Sequence, residues 1–338
     1  MRKITGIGMV ILAILFASNC LNNPVTMLLS SKGGALVKMV PPPGRRDTPH
    51  GERCTGYPFH ALLQNTDQWE HVRSTVDYFV YQDWILNQQQ FFTDDDLSLY
   101  FSIINTWPSK FTIDSSCLKG DDDCHRDSAD ESWNIVYPMW NRFEGLGAQI
   151  DALSIDESFC AVRKPWWTGP SGDEYAVQET AEWIYRVRTQ FDPDIEICSI
   201  EPYPSFSVTE LIWWIDELNA ECQRLGVDGI QAFSLDVNWG GNGVNWNDVA
   251  ALEDSCQARH IRFEMIYWAS PHYRETDEDV DFYNDIHKQG RMYQAAGGTP
   301  DVYTIQDWNY IPRQMVPEDE PWSFTYSMQS FINTFVPK

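Results

Sequence analysis

The chain has 338 residues, a formal net charge of −25 at pH 7, 43% hydrophobic residues and 14% aromatic residues, with 15 Trp. Such a length holds one large core, and a single barrel domain of about 250 residues is compatible with it. The acidic field disfavours nucleic acid and anionic membrane surfaces as partners and suits a neutral one better, although a generally acidic soluble surface gives the same balance.

Residues 1–20 read as a secretory signal: basic Arg2 and Lys3, an apolar run Ile7–Phe16, then small residues up to Cys20. The run is too short for a comfortable membrane span, so no span is expected in the mature chain and the localisation read from it is extracytoplasmic. Asn19 directly before Cys20 is a poor match to a lipoprotein cleavage site. Export permits disulfides. Of the 8 Cys, Cys117 and Cys124 flank a polar loop and form the best candidate pair. Cys222 and Cys256 lie on successive expected helices and could also meet, whereas Cys198, inside an apolar strand, reads as a buried free thiol.

Residues 21–56, with Ser30-Ser31-Lys32-Gly33-Gly34 and Pro41-Pro42-Pro43-Gly44, read as a linker and irregular entry. From residue 57 onward, short β-type runs alternate with helical stretches. The runs are Asp77–Gln82, Lys110–Ser115, Ala152–Glu157, Ile195–Glu201, Gly229–Asn238, Arg262–Trp268 and Val302–Trp308. Amphipathic spacing predicts helices over Asp173–Phe191, Thr209–Leu225, Trp246–Arg259 and Asp277–Ala296. Thr93 followed by three aspartates reads as a helix N-terminus. With an eighth strand expected near Cys54–His60, the pattern predicts an α/β fold, a single-domain (β/α)8 TIM barrel over 57–338. A doubly wound open sheet is disfavoured, because no glycine-rich phosphate loop follows the first strand.

Barrel enzymes keep their working groups at the C-terminal strand ends. Alternation along each strand predicts Thr112 and Asp114, Ser154 and Asp156, Ser199 and Glu201, Ser234, Asp236 and Asn238, and Thr304, Gln306 and Trp308 as lumen-facing. Three strands ending in Asp156-Glu157, Glu201 and Asp236 suggest a carboxylate site, since gathering buried acids costs several kcal/mol (roughly) unless they are paired or protonated. The competing reading is that each acid caps the following helix. Clustered acids split their proton affinities, as glycoside cleavage requires of its acid and its base or nucleophile. Asp156 or Glu157 is expected as one member and Glu201 as the other, with Asp236 orienting a hydroxyl or tuning a neighbour. Asp114 is a second-tier candidate, and so is Glu264, which lies deeper in its strand with Arg262 or another lumen charge as its expected partner.

Trp166, Trp167, Tyr203, Trp239, Tyr267, Trp268 and Trp308 cluster near the same strand ends and are expected to line sugar subsites with Asn238 and Gln306. At least one of Trp213 and Trp214, both mid-helix, belongs to the core. No CxxC or HExxH motif is present, and no metal or cofactor is expected.

Along Asp151–Trp167, Ser199–Pro204 and Phe233–Trp239 the chain resembles a secreted TIM-barrel glycoside hydrolase. Glu157 matches the acid/base position of the cellulase-like clan, with Asp156 where that clan usually has Asn. Glu264 matches the clan's nucleophile only if its strand is shorter than drawn. Asp151 and Asp156 fit the register of chitinase-type barrels, but Ser154 and Ser158 stand where further acids are expected. The resemblance implies a hydrolase of poly- or oligosaccharides. The alternatives are a polysaccharide lyase, disfavoured by few basic residues at strand ends, a non-catalytic carbohydrate-binding barrel, and a metal-dependent hydrolase, disfavoured by the scarcity of His at strand ends.

Overall fold

The computed structural model describes residues 34–42, 58–121, 124–240, 243–269, 278–307 and 311–337. The signal-like segment 1–20 and Trp308 lie outside them. Eight parallel strands close into a barrel: β1 Leu36–Val40, β2 Tyr78–Gln82, β3 Lys110–Ser115, β4 Ala152–Asp156, β5 Glu196–Tyr203, β6 Ala232–Val237, β7 Arg262–Tyr267 and β8 Val302–Gln306. Closure comes from β1, which pairs with both β8 and β2. The protein is a (β/α)8 TIM barrel.

The first strand is not where the sequence placed it. It lies within 21–56, the stretch read as linker, while Pro58–Gln64 is a helix. The run Leu-Val-Lys-Met-Val hides a strand because its central residue is a lysine. Val37 and Met39 pack into the core, and Lys38 turns into the barrel, where Glu264 neutralises it. That partner is 226 residues away, so no local pattern reveals it.

The helices start where capping chemistry dictates. Thr93 and Asp96 form a capping box on Asp94–Ile104, as expected of an acidic first turn. Ser207 and Glu210 do the same for Val208–Leu225, and Gly226 in the left-handed region ends that helix. A small antiparallel hairpin, Lys119–Asp121 with Cys124–Arg126, is inserted after β3. No helix among the described residues is long and apolar enough to cross a membrane.

Four fully buried indoles, Trp69, Trp140, Trp183 and Trp214, help fill the layer between barrel and helices, so much of the tryptophan surplus is core. The expected disulfides do not form: Cys117, Cys222 and Cys256 are buried free thiols, as are Cys160 and Cys198. Cys198 faces the lumen, near Lys38 and Glu264.

Candidate active site at the barrel mouth

Parallel pairing puts laterally matched residues on the same face of the sheet. Asp114 pairs with Gln82 and Ser154, Asp156 with Ile200, and Ser234 with Ile200 and Glu264. These residues face the axis, so Asp114, Asp156 and Asp236 stand on the lumen side of β3, β4 and β6, as the alternation predicted. Gln306 on β8 also lines the lumen.

Strand β5 has the opposite phase to that expected. Glu201 pairs with Leu235 and Ser199 with Phe233, on the face turned to the helices. Ser199 Oγ accepts a hydrogen bond from the Trp214 indole at 3.1 Å. Glu201 is fully buried, and its two oxygens accept from the backbone N–H groups of Phe159 at 2.8 Å and Cys160 at 3.1 Å. It caps the first turn of Ser158–Ala161, the helix following β4. Small polar residues were expected inside and aliphatic ones outside. Here the aliphatic Ile200 fills the lumen, and the polar pair is satisfied by an indole and a helix end. Glu201 therefore faces the helical layer and holds a helix start, away from the lumen where Asp114, Asp156 and Asp236 stand. Glu201→Gln, which keeps the shape and one acceptor, is expected to lose about 1–3 kcal/mol of stability while turnover falls less than tenfold. Urea unfolding and steady-state rates check this, and a rate collapse in a stable Glu201→Gln protein would restore it to the chemistry.

What Glu201 positions is the corner bearing Glu157. That residue has φ 50° and ψ 36°, in the left-handed region, a conformation uncommon for a residue with a side chain and costing about 1–3 kcal/mol. The turn is fixed by the Glu157 N–H to Ile200 carbonyl bond at 2.9 Å and by the ion pair of Glu157 with Lys164 at 2.9 Å. Such strain persists only where surrounding partners hold it in place.

Two lysines complete the mouth, and sequence reasoning missed both. Lys119 from the inserted hairpin pairs with Asp156 at 2.9 Å, and Lys164 from the loop after β4 pairs with Glu157. One lies on the inserted hairpin and the other in a loop, away from the barrel-strand ends where site residues were sought. The only local signal was a charged residue a few positions beyond a strand terminus.

The carboxyl groups differ sharply in environment. Burial, with the charges of Glu157 and Asp156, pushes Asp236 up to about 8, against a smaller pull from the Trp268 indole and Lys164. Its Oδ1 is shut off from solvent without a hydrogen-bond partner among the described residues. Asp114 is raised well above the carboxylate range by burial, Asp156 and Asp83, with Lys119 and Lys38 opposing. Glu157 is raised by burial and Asp156, with Lys164 opposing. Behind them, buried Asp83 accepts from Ser115 Oγ at 2.7 Å and the Trp140 indole at 3.3 Å. Glu264 lies deep in the lumen, bonded to Lys38 at 2.5 Å and 3.8 Å from Arg262, which fits its expected pairing with a lumen charge and removes it from the strand-end nucleophile position.

The aromatic candidates divide. Trp166 is 52% exposed and Trp167 half-buried, with its indole donating to the Pro170 carbonyl. Trp268 is half-buried beside Asp236 and Asn238 is exposed. Tyr203, Trp239 and Tyr267, by contrast, are buried. Trp239 donates to the Ile266 carbonyl and stacks on Tyr267, which packs on Phe331 of the final helix, so they are wall, not subsite. Trp84, directly after β2 and 43% exposed, was not foreseen.

The fold and this acidic mouth define a TIM barrel with a carboxylate cluster at its C-terminal face. No protein-family model matches the chain, and no curated protein matches it. Among solved structures it is similar to a psychrophilic glycoside hydrolase family 10 endo-β-1,4-xylanase (11% identity, TM-score 0.50), covering 90% of this chain and 92% of that one. It is also similar to the Penicillium canescens endo-1,4-β-xylanase XylE (11% identity, TM-score 0.49), covering 83% of this chain and 86% of that one. At such identity the likeness shows the barrel fold alone.

Proposed function

We propose that the chain is a glycoside hydrolase, working at the mouth formed by β3, β4 and β6. The observation that carries this is the division among neighbouring carboxyls: Asp236 keeps its proton up to about pH 8, while Asp156 beside it is ion-paired to Lys119. A carboxyl whose proton is held by burial, beside one ion-paired to an ammonium, gives a donor and a charge-paired partner in one site. Asp236 takes the proton-donor role, in the place of Glu201 as second member of the carboxylate pair. Asp156 is the anionic partner, held by Lys119. Glu157, strained and tied to Lys164, orients the substrate or shares in proton transfer. The exposed Trp84 and Trp166 indoles offer stacking faces for sugar rings. The basic, apolar and then small N-terminal pattern supports export to where a polysaccharide would be met.

Lys119 and Lys164 favour a second reading. A lyase neutralises a uronate carboxylate before abstracting a proton, and the mouth holds two ammonium groups. Incubation with a panel of neutral and acidic polysaccharides separates the two. We expect new reducing ends without unsaturated products, persisting in a chelator. Products absorbing as unsaturated uronates would establish the lyase instead, and binding without turnover would leave a carbohydrate-binding barrel.

A further inference from the structure

Several buried oxygens facing the barrel axis have no hydrogen-bond partner among the described residues, among them Thr112 Oγ1, Asp114 Oδ1, Ser234 Oγ, Glu264 Oε1 and Thr304 Oγ1. Leaving such groups dry costs about 1–3 kcal/mol each. The register sets Ser234 beside Glu264 and Thr304 beside Lys38 on neighbouring strands. A cavity of about 10 Å³ is lined by Asp114, Ser234 and Thr304 of this group, by Lys38, Ser154 and Gln306, and by aliphatic side chains of Val40, Val80, Ile200 and Ile266. A water needs roughly 10–15 Å³ and 2–4 polar partners, and this cavity offers both. The ammonium of Lys38 disfavours a metal cation there.

We propose that this cavity holds one ordered water bridging the Lys38 ammonium to Asp114 Oδ1, so that the Lys38–Glu264 pair acts as a positioning device setting how tightly Asp114 holds its proton at the mouth. Lys38 and Glu264 are both buried away from solvent, and Lys38 lines the cavity. The charges around Asp114 come from Lys38 on β1, Asp83 after β2, Lys119 on the hairpin, Asp156 on β4, and Glu264 on β7 through Lys38. Asp236 on β6 shares the mouth. Lys38 and Lys119 favour the ionised form of Asp114, and the acids oppose it. Removing the negative charge of Glu264 strengthens the pull of Lys38, whereas expelling the water weakens its reach.

Two substitutions should therefore move Asp114 in opposite directions. Glu264→Gln keeps the side-chain shape and leaves Lys38 uncompensated. The dissociation constant of the Asp114 proton is expected to rise at least tenfold. Ser234→Val fills the cavity while keeping the ion pair, and is expected to lower that constant by a comparable factor. Infrared difference titration of the full chain, with Asp114→Asn identifying the band, reads both. Should Glu264→Gln fail to fold, Ser234→Val decides alone. A merely structural ion pair would leave both midpoints unmoved, and unmoved midpoints or shifts of the same sign would overturn the proposal. The bearing on turnover rests on the hydrolase reading, but the titration does not: opposite shifts in a protein inactive on every glycan would retain the relay and reject the activity.

Discussion

Asp236→Asn is expected to lower turnover by about 10²–10⁴-fold, the usual contribution of a general acid, while raising stability at neutral pH. The proton held by Asp236 up to about pH 8 is lost near pH 3.9 in the unfolded chain. Between these limits the native state binds more protons than the unfolded state, so this group makes stability fall as pH rises. Below about pH 4 both states are protonated, and above about pH 8 both are ionised, so no further slope remains outside the window. The Asn variant lacks that slope. Its advantage in Tm should be near zero at pH 4 and should grow until about pH 8, reaching roughly 8–10 °C. In the wild-type chain the alkaline limb of the rate profile should fall near pH 8. Thermal unfolding and rates across pH 4–9 test both halves. A variant with full turnover, or a Tm difference independent of pH, would take the donor role from Asp236.

Lys38→Met should have the largest effect on stability, about 3–5 kcal/mol, because it leaves the fully buried Glu264 charge without its partner. Arg262 at 3.8 Å is the only other cation within ion-pairing distance of Glu264 among the described residues. The double variant Lys38→Met/Glu264→Leu should recover most of that loss, since exchanging a whole buried pair for apolar side chains is often neutral or stabilising. Urea midpoints of the three proteins measure this. A single variant as stable as the double one would mean that the pair is hydrated and contributes little.

Sequence alone determined the barrel and much of the mouth. Period-two runs separated by period-3.6 runs require parallel strands under helices, and the capping residues Thr93 and Ser207 mark helix starts whatever surrounds them. The inward placement of Asp114, Asp156 and Asp236 followed from the same alternation, because Ile113, Ile155, Leu235 and Val237 beside them are apolar and pack against the helical layer. Tertiary structure decided the rest. Along β5 the residues Cys198-Ser199-Ile200-Glu201 support either phase. Only the Trp214 indole and the two N–H groups of the Ser158–Ala161 turn, which satisfy Ser199 and Glu201 on the outer face, choose between them. Strand β1 was invisible because Lys38 breaks its apolar pattern and finds its counter-charge on β7. Lys119 and Lys164 reach the acids from an inserted hairpin and a loop whose paths no periodicity describes. Alternation and capping act between residues one to four apart and can be read from the chain, whereas the partner of a buried charge is chosen by the closed barrel.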